Sequence, residues 1–390
     1  MSIAWLLAAP AAASLCLYAL ACCLAVGWKI AVRRPREGRG APGLTIFKPL
    51  CGIDEGLEAN LVSFFLVDHE PLQLIFAVAD PGDPALGVVR RLVRRFPGRD
   101  VSILVGADDT VANPKVALLE RMAAHATHDV FLLSDSNVRL RDGEIRRVLR
   151  EFSDERVGMV YQPVVAVGER TVPAAVENLH YTEFAALLTI GARLLAGQHT
   201  VNGKGQWVRR SALADVGGFA QVRDCGADDY ALSVLVAAAG WELRMARECV
   251  QVVQRDWSWS SLAARNLRHA GLRWRICPAA YPLELAFNPI PWALPLLAGG
   301  SRTLAIAGAA AVIGKILLEV SAARLLRGGP LAGHFVPVIL VKDLYVFACW
   351  FVALFARTAA WRGRLYKLSA RGRIEPIVTG TATAELARAA

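Results

Sequence analysis

Hydrophobic positions fall into two patterns along the chain. Ile3 to Ile30 is almost wholly apolar and long enough to span a bilayer. From Leu44 the apolar runs shorten to strand length and alternate with segments of helical period. Leu44 to Pro49 predicts a strand. Leu57 to Phe65 predicts a helix with Leu57, Leu61, Phe64 and Phe65 on one face. Leu72 to Ala79 is a second strand, ending at Asp80; Pro84 to Phe96 an amphipathic helix; Asp100 to Val105 a third strand; Lys115 to His125 a helix; Val130 to Leu133 a fourth strand. Val157 to Val167 continues as a strand, Asn178 to Leu195 as a helix, Trp207 to Arg209 as a strand and Ala231 to Ala239 as a helix. Trp257 to Trp274 is a basic, aromatic helix of the kind that lies at a membrane interface. Strand and helix alternate at βαβ lengths, which predicts an α/β domain with a parallel sheet and helices on both faces.

Beyond Pro282 the long apolar pattern returns. Leu283 to Leu297 and Thr303 to Leu326 read as a helical hairpin, with Pro289, Pro291 and Pro295 breaking or tilting its first arm. Lys315 and Glu319 lie four apart on the second arm and can pair inside the membrane. Phe335 to Phe355 carries Lys342-Asp343 in its middle. A single crossing there would leave Arg357, Arg362, Arg364, Lys367, Arg371 and Arg373 outside, against the positive-inside rule. The expectation is two half-helices broken at Lys342-Asp343, re-entrant or interfacial, with a cytoplasmic tail. Lys29, Arg33, Arg34, Arg36 and Arg39, directly after the first apolar stretch, place the adjoining α/β region in the cytoplasm. A cleaved signal peptide is disfavoured, because the apolar core is too long and the charge lies after it. The expected division is an anchor over 1–32, a cytoplasmic α/β domain over 43–280, a membrane hairpin and re-entrant segment over 283–358, and a basic tail over 359–390.

Composition sharpens this picture. The 390 residues are 55% apolar with a formal net charge of +10, and the arginines crowd just inside the apolar ends. That is a membrane signature rather than a nucleic-acid footprint, and there is no zinc-finger spacing. The eight cysteines form no CxxC pair, so neither a disulfide framework nor a zinc site is supported, and a reducing compartment is expected for the middle domain.

The candidate chemistry sits where strands end. Ligands of open α/β sheets bind outside the carboxyl ends of the strands. Asp135 comes just after the apolar run Val130 to Leu133, and Asp80 just after the second strand. Asn113-Pro114-Lys115 opens a helix whose free N–H groups, beside a lysine, suit an anion. Together they suggest a nucleotide-diphosphate pocket: Asp80 near base or ribose, Lys115 near the phosphates, Asp135 toward a divalent ion. Lys204, in the Gly-rich loop Asn202 to Gln206, is a further phosphate candidate. Asp228-Asp229 at a helix start reads either as dipole-favoured capping or as a general base oriented by its neighbour.

These residues carry a family resemblance. Phe47-Lys48-Pro49-Leu50 with Gly52 and Asp54, Asn60-Leu61, Phe64-Phe65, Asp80 with Asp83-Pro84-Ala85, Asn113-Pro114-Lys115, Asp135-Ser136, Asp228-Asp229-Tyr230, Gly240-Trp241, Arg273-Trp274, and Trp361-Arg362-Gly363-Arg364 with Tyr366 occur in the order found in ceramide glucosyltransferases. The chain resembles that family over roughly residues 44 to 370. The resemblance implies a membrane-bound, inverting glycosyltransferase of GT-A (Rossmann-like) fold using a UDP-sugar, with α-helical membrane segments. It implies that Pro49, Asp80 and Asp135 serve the nucleotide, Asp135 with a divalent cation (Mg²⁺ or Mn²⁺), that Asp229 beside Asp228 is the base, and that Arg273-Trp274 closes the (Q/R)xxRW element over diphosphate and acceptor.

Two positions depart from the pattern. Ala270 stands where that element has Gln or Arg, unless Arg268 or His269 replaces it from a shifted turn. Asp135-Ser136-Asn137 offers one carboxylate where many GT-A enzymes have two, so a metal would be shared with the diphosphate. The expected reaction moves a hexose to a lipid primary hydroxyl, ceramide first, with Asp229 taking the proton and Lys115, Arg273 and the metal neutralising UDP. A hopanoid, sterol or diacylglycerol acceptor is the alternative within the chemistry; a lipid-binding or transport membrane protein is the alternative of another class. The sugar stays open. The heavy Ala and Arg usage suggests a bacterial inner membrane.

Overall fold

A continuous apolar strand, β1 (Leu44–Leu50), runs through the middle of the sheet that organises the polar part of the chain. In the computed structural model the described residues are 3–31, 41–141, 143–329, 336–361 and 364–377. They divide into two compact units. One comprises Ala31–Gly168 and Gly197–Gln254; the other comprises Met1–Ile30, Glu169–Ala196 and Arg255–Ala390.

In the first unit β1 is flanked by β2 (Leu72–Val78) and β4 (Val130–Leu133), with β3 (Asp100–Val105) beyond β2, all parallel. All but one of the residues of β1, and all those of β2 and β4, are buried, which is why they read as largely apolar runs, broken by Thr45 and Lys48 in β1 and Gln73 in β2. The parallel expectation holds for these four strands and is broken by one strand of the larger sheet. The seven-stranded sheet has the order β3-β2-β1-β4-β8-β6-β9, and β8 (Gln206–Arg209) is antiparallel to both β4 and β6 (Val157–Tyr161). The expected strand over Val157 to Val167 is two strands. Gln162-Pro163 interrupts it, and β7 (Val164–Val167) joins β5 (Val138–Arg139) and β10 (Val250–Val253) in a separate sheet. The remaining strand, β9 (Glu242–Met245), runs parallel to β6 at the sheet edge.

The second unit is mainly helical. The helices 8–30, Arg302–Arg327 and Val336–Phe355 are long and apolar enough to cross a membrane. Val172–Thr182 and Thr189–Ala196 are joined by a π-helical turn, Glu183–Leu188, and Trp259–Ile276 is one unbroken helix. These segments were expected inside the α/β domain but cluster with the apolar helices instead. Ala175, Val176 and Leu179 pack with Leu262, Ala323, Val338 and Ile339 in one core. After the last helix, β11 (Thr358–Trp361), β12 (Arg364–Leu368) and β13 (Ile374–Pro376) form an antiparallel sheet where only a tail was expected.

One expectation for this unit is overturned. Val336–Phe355 is a continuous helix, with no break at Lys342-Asp343. The break is unnecessary because the charges are neutralised in place. Lys342 Nζ bonds Glu183, Glu319 Oε1 at 2.7 Å and Asp343 Oδ1 at 2.9 Å. Lys315 Nζ bonds Glu319, as its spacing predicts, and Glu183 at 3.1 Å. The π-helical turn carries Glu183 into this cluster. The basic run Arg33 to Arg39, Phe335, Arg362-Gly363 and the tail beyond Ile377 lie outside the described residues.

Candidate active site

β1, β2 and β4 are parallel neighbours, so their carboxyl ends share one edge. Asp80 leaves β2 and Asp135 leaves β4 at that edge, two strands apart, or roughly 10 Å at ordinary strand spacing. Asp80 is exposed, and its Oδ1 accepts from the Gly82 N–H at 2.8 Å. Pro49 lies on β1 between them, paired with Ala77.

The reversal of β8 completes the site. Because β8 runs antiparallel to β4, Leu133 faces Gln206, and the loop entering β8 lies at the same edge as Asp135. Lys204 Nζ donates to Asp135 Oδ2 at 2.6 Å and to Asn137 Oδ1 at 3.2 Å. In that loop a side chain at Gly203 would displace the Lys115 ammonium. A Cβ there would meet Lys115 Nζ at 2.8 Å and Asp229 at 3.4 Å.

Lys115 joins the two acidic ends. Its Nζ lies 3.4 Å from Asp135 Oδ1 and 3.6 Å from Asp228 Oδ2. The expected open helix start is not found. Asn113 Oδ1 caps it, accepting from the N–H groups of Lys115 at 3.0 Å and Val116 at 3.3 Å. The anion-binding capacity at that point is therefore the Lys115 ammonium rather than backbone N–H. The Asn113 amide also donates to Asp228 Oδ1 at 3.3 Å and to the Cys225 carbonyl at 2.7 Å.

Asp229 sits next to Asp228 in the first turn of the Asp228–Ala238 helix. Its Oδ2 accepts from the Gly203 N–H at 2.6 Å and its Oδ1 from the Tyr230 N–H at 2.8 Å. Burial and the adjacent Asp228 carboxylate push its pKa up to about 6, against the pull of Lys115. Asp135 behaves oppositely. Burial alone would raise it, yet Lys115, Lys204 and Lys48 hold it well below the usual carboxylate range. Burial likewise works against the Lys115 charge, but Asp135, Asp228 and Asp229 keep that lysine protonated far above its ordinary value.

Lys48 is a participant to which sequence reasoning assigned no role. It is fully buried on β1, donating to Ser134 Oγ at 3.2 Å and to the Asp135 carbonyl, with its ammonium 3.8 Å from the Phe64 ring centroid. Burial drives its pKa well down. The signal was a lysine inside an otherwise apolar strand. Asn137, which shares Lys204 with Asp135, and the Ser136–Asp54 hydrogen bond were also missed; a lone Asn or Ser after a strand carries no pattern.

Arg273 and Trp274 belong to the helical unit. Arg273 forms a two-pronged pair with Glu284, at 2.8 and 3.1 Å, and its guanidinium lies 4.3 Å from the Phe184 ring centroid. Trp274 packs against Tyr281, which stacks on Trp350 at 5.2 Å. The helix is unbroken through Ala270, so no shifted turn brings in a substitute. Arg268 lies over the Trp361 ring, and Ala270 borders a void of about 20 Å³ with His180, Asn266, Arg273 and Glu284.

The donor set at Asp135 fits a divalent cation of limited protein ligation. Asp135 Oδ2 and Asn137 Oδ1 converge on one ammonium, the place a cation would take, and Mg²⁺ commonly relies on one or two carboxylates plus substrate phosphates. Among the described residues, the one cluster of three acidic side chains within metal-ligand reach is Glu183, Glu319 and Asp343, in the helical unit and already held by two lysines.

Comparison with known proteins agrees with this architecture. The family model described as glycosyl transferase family 21 matches residues 6–374. Ceramide glucosyltransferase 3 of Caenorhabditis elegans is 22% identical over 349 residues, 87% of this chain and 76% of that protein. Ceramide glucosyltransferase 1 of the same organism is 29% identical over 201 residues, 51% of this chain and 43% of that protein, so the matched stretch spans less than half of that relative. Among solved structures, the mannosyltransferase PcManGT from Pyrobaculum calidifontis, in complex with GDP-Man and Mn²⁺, superposes with a TM-score of 0.51 at 18% identity, covering 90% of this chain and 99% of that one. That likeness establishes the fold, a GT-A glycosyltransferase with a mixed α/β sheet and a parallel core.

Proposed function

The chain belongs to glycosyl transferase family 21, and from that premise we propose that it moves a hexose from a UDP-sugar to the primary hydroxyl of a membrane lipid, ceramide first, with inversion at the anomeric carbon. The observation that carries this reading is the Asp135–Lys115–Asp228–Asp229 cluster: a cation-rich edge for a diphosphate joined directly to a carboxylate held at about pKa 6.

Asp229 is the base. Its carboxylate is oriented by the Gly203 and Tyr230 N–H groups, and at neutral pH it is largely ionised and can take the proton of an attacking hydroxyl. Lys115 and Lys204 face the leaving diphosphate and offset the charge that develops as the glycosidic C–O bond breaks. Lys48 supports the Asp135 backbone from below. Asp135 and Asn137 would hold a divalent cation, which when bound supplies further charge neutralisation on the diphosphate. Asp80 at the same edge is suited to the ribose or base. A single displacement by an acceptor hydroxyl inverts the configuration. The three apolar helices fit a membrane lipid acceptor, and the polar unit is proposed to face the cytoplasm of a bacterial inner membrane.

The test is turnover of UDP-glucose and ceramide by purified chain in detergent micelles, read by mass spectrometry of the lipid product. Asp229→Asn should abolish turnover while UDP binding stays within about twofold; retained turnover in that variant would remove Asp229 from the role. A lipid-binding protein would show neither UDP binding nor product.

A further inference from the structure

On the α/β unit, a cleft of about 960 Å³ opens between the Leu57–Phe65 helix and a wall that includes Arg139 to Arg141, Gly143, Ile145 and Arg146. Its size falls within the range of small-molecule sites. None of the candidate active-site residues lines it. Its two walls differ in chemistry. Val62, Leu66, Val67 and Leu140 make an apolar side, with Leu66 63% exposed. Arg95, Arg139, Arg141 and Arg146 supply guanidinium groups, against Glu58 and Asp68 among the described lining residues.

The guanidinium groups are not all spent on those acids. Arg146 pairs with Asp68, and Arg141 bonds the Cys249 carbonyl and lies 3.8 Å from Glu144 Oε2. Arg139 donates from Nη2 to Asn60 Oδ1 at 3.0 Å, a neutral amide oxygen. A guanidinium bonded to a neutral acceptor keeps its charge available to an anion.

We propose that this cleft is a second binding site, for an anionic amphiphile whose phosphate or carboxylate meets the arginines while its apolar part lies along Val62 and Leu66, and that its occupancy is coupled to the donor site. The coupling runs through one short segment. Asp135 and Asn137 hold Lys204, and Arg139 to Arg141, two residues further on, border the cleft. Leu140 N–H is tied to Ser63 Oγ at 3.1 Å and Arg139 to Asn60, so the Leu57–Phe65 helix and this segment are hydrogen-bonded to each other. The coupling half of the proposal rests on the donor-site reading; the binding half does not.

The experiment uses the full chain in phosphatidylcholine nanodiscs, with water-soluble dihexanoyl phosphatidic acid as probe and deuterium exchange of residues 57–68 and 139–147 as readout. The probe should protect both segments at concentrations where inorganic phosphate does not. Ala59→Trp, which fills the cleft and leaves its charges, and Arg139→Gln should each weaken that protection at least tenfold. The thermal unfolding midpoint in the same nanodiscs reports that each variant is folded, and UDP affinity of the unmodified chain should change at least threefold at saturating probe. Equal protection by inorganic phosphate overturns the amphiphile. No protection, or protection undiminished in both variants, overturns the site. Unchanged UDP affinity overturns the coupling, and absent UDP binding counts against the donor-site reading alone.

Discussion

Two carboxylates near Lys115 differ in acidity because their surroundings differ. Asp135 lies between two ammonium groups and stays ionised at any working pH, so it contributes no feature to a pH profile. Asp229 is held at about 6 by burial and by Asp228. An acid whose pKa is raised is deprotonated only above that value, so activity should climb from pH 5 to pH 7 with a limb near 6. Asp228→Asn removes the like charge and should move that limb to lower pH; a limb that stays in place would break the link to Asp229. At this scale the sequence singled out Asp80, Asp135, Lys115, Lys204 and Asp229, because strand ends, helix starts and a Gly-rich loop are legible in local pattern. It overlooked Asn137 and gave Lys48 no task, since a polar residue's partners come from elsewhere in the chain.

Elements set where those residues point. Asn113 both caps its helix and reaches Asp228, so Asn113→Ala should lose roughly 1–2 kcal/mol, the upper range for a cap, and loosen the Asp228 end of the site. A thermal unfolding midpoint in detergent that does not fall would contradict this. In the helical unit Lys342 is 1% exposed and bonds three carboxylates. Lys342→Met leaves Glu183, Glu319 and Asp343 with one lysine among them. Stripping one partner from a buried ion pair costs about 3–5 kcal/mol, so this variant should unfold well below the parent. Periodicity located the helix but not its continuity, because Lys342-Asp343 looks like a break until Glu183, more than 150 residues away, is known to be beside it.

At the scale of the whole molecule the apolar ends and the basic residues inside them decide placement. The strands after the last helix carry Arg357, Arg364, Lys367, Arg371 and Arg373 in or beside them. Pro289–Ala298 is too short to cross, so two crossings follow residue 280, and by the positive-inside rule a reporter fused after Ile377 should lie on the cytoplasmic side; an external signal would refute that orientation. Three helices long enough to span should also keep the chain in the membrane pellet through an alkaline carbonate wash.

Short-range pattern alone determined the apolar ends, the buried parallel strands and the acidic residues at their carboxyl ends, because burial on both faces and helical period are local properties of a chain. Tertiary structure decided the rest. The antiparallel entry of β8 puts Lys204 and Gly203 at the edge occupied by Asp135 and Asp229, where an all-parallel sheet would have sent that loop to the far side. The direction of a strand is set by its neighbours, and no spacing within four residues encodes it.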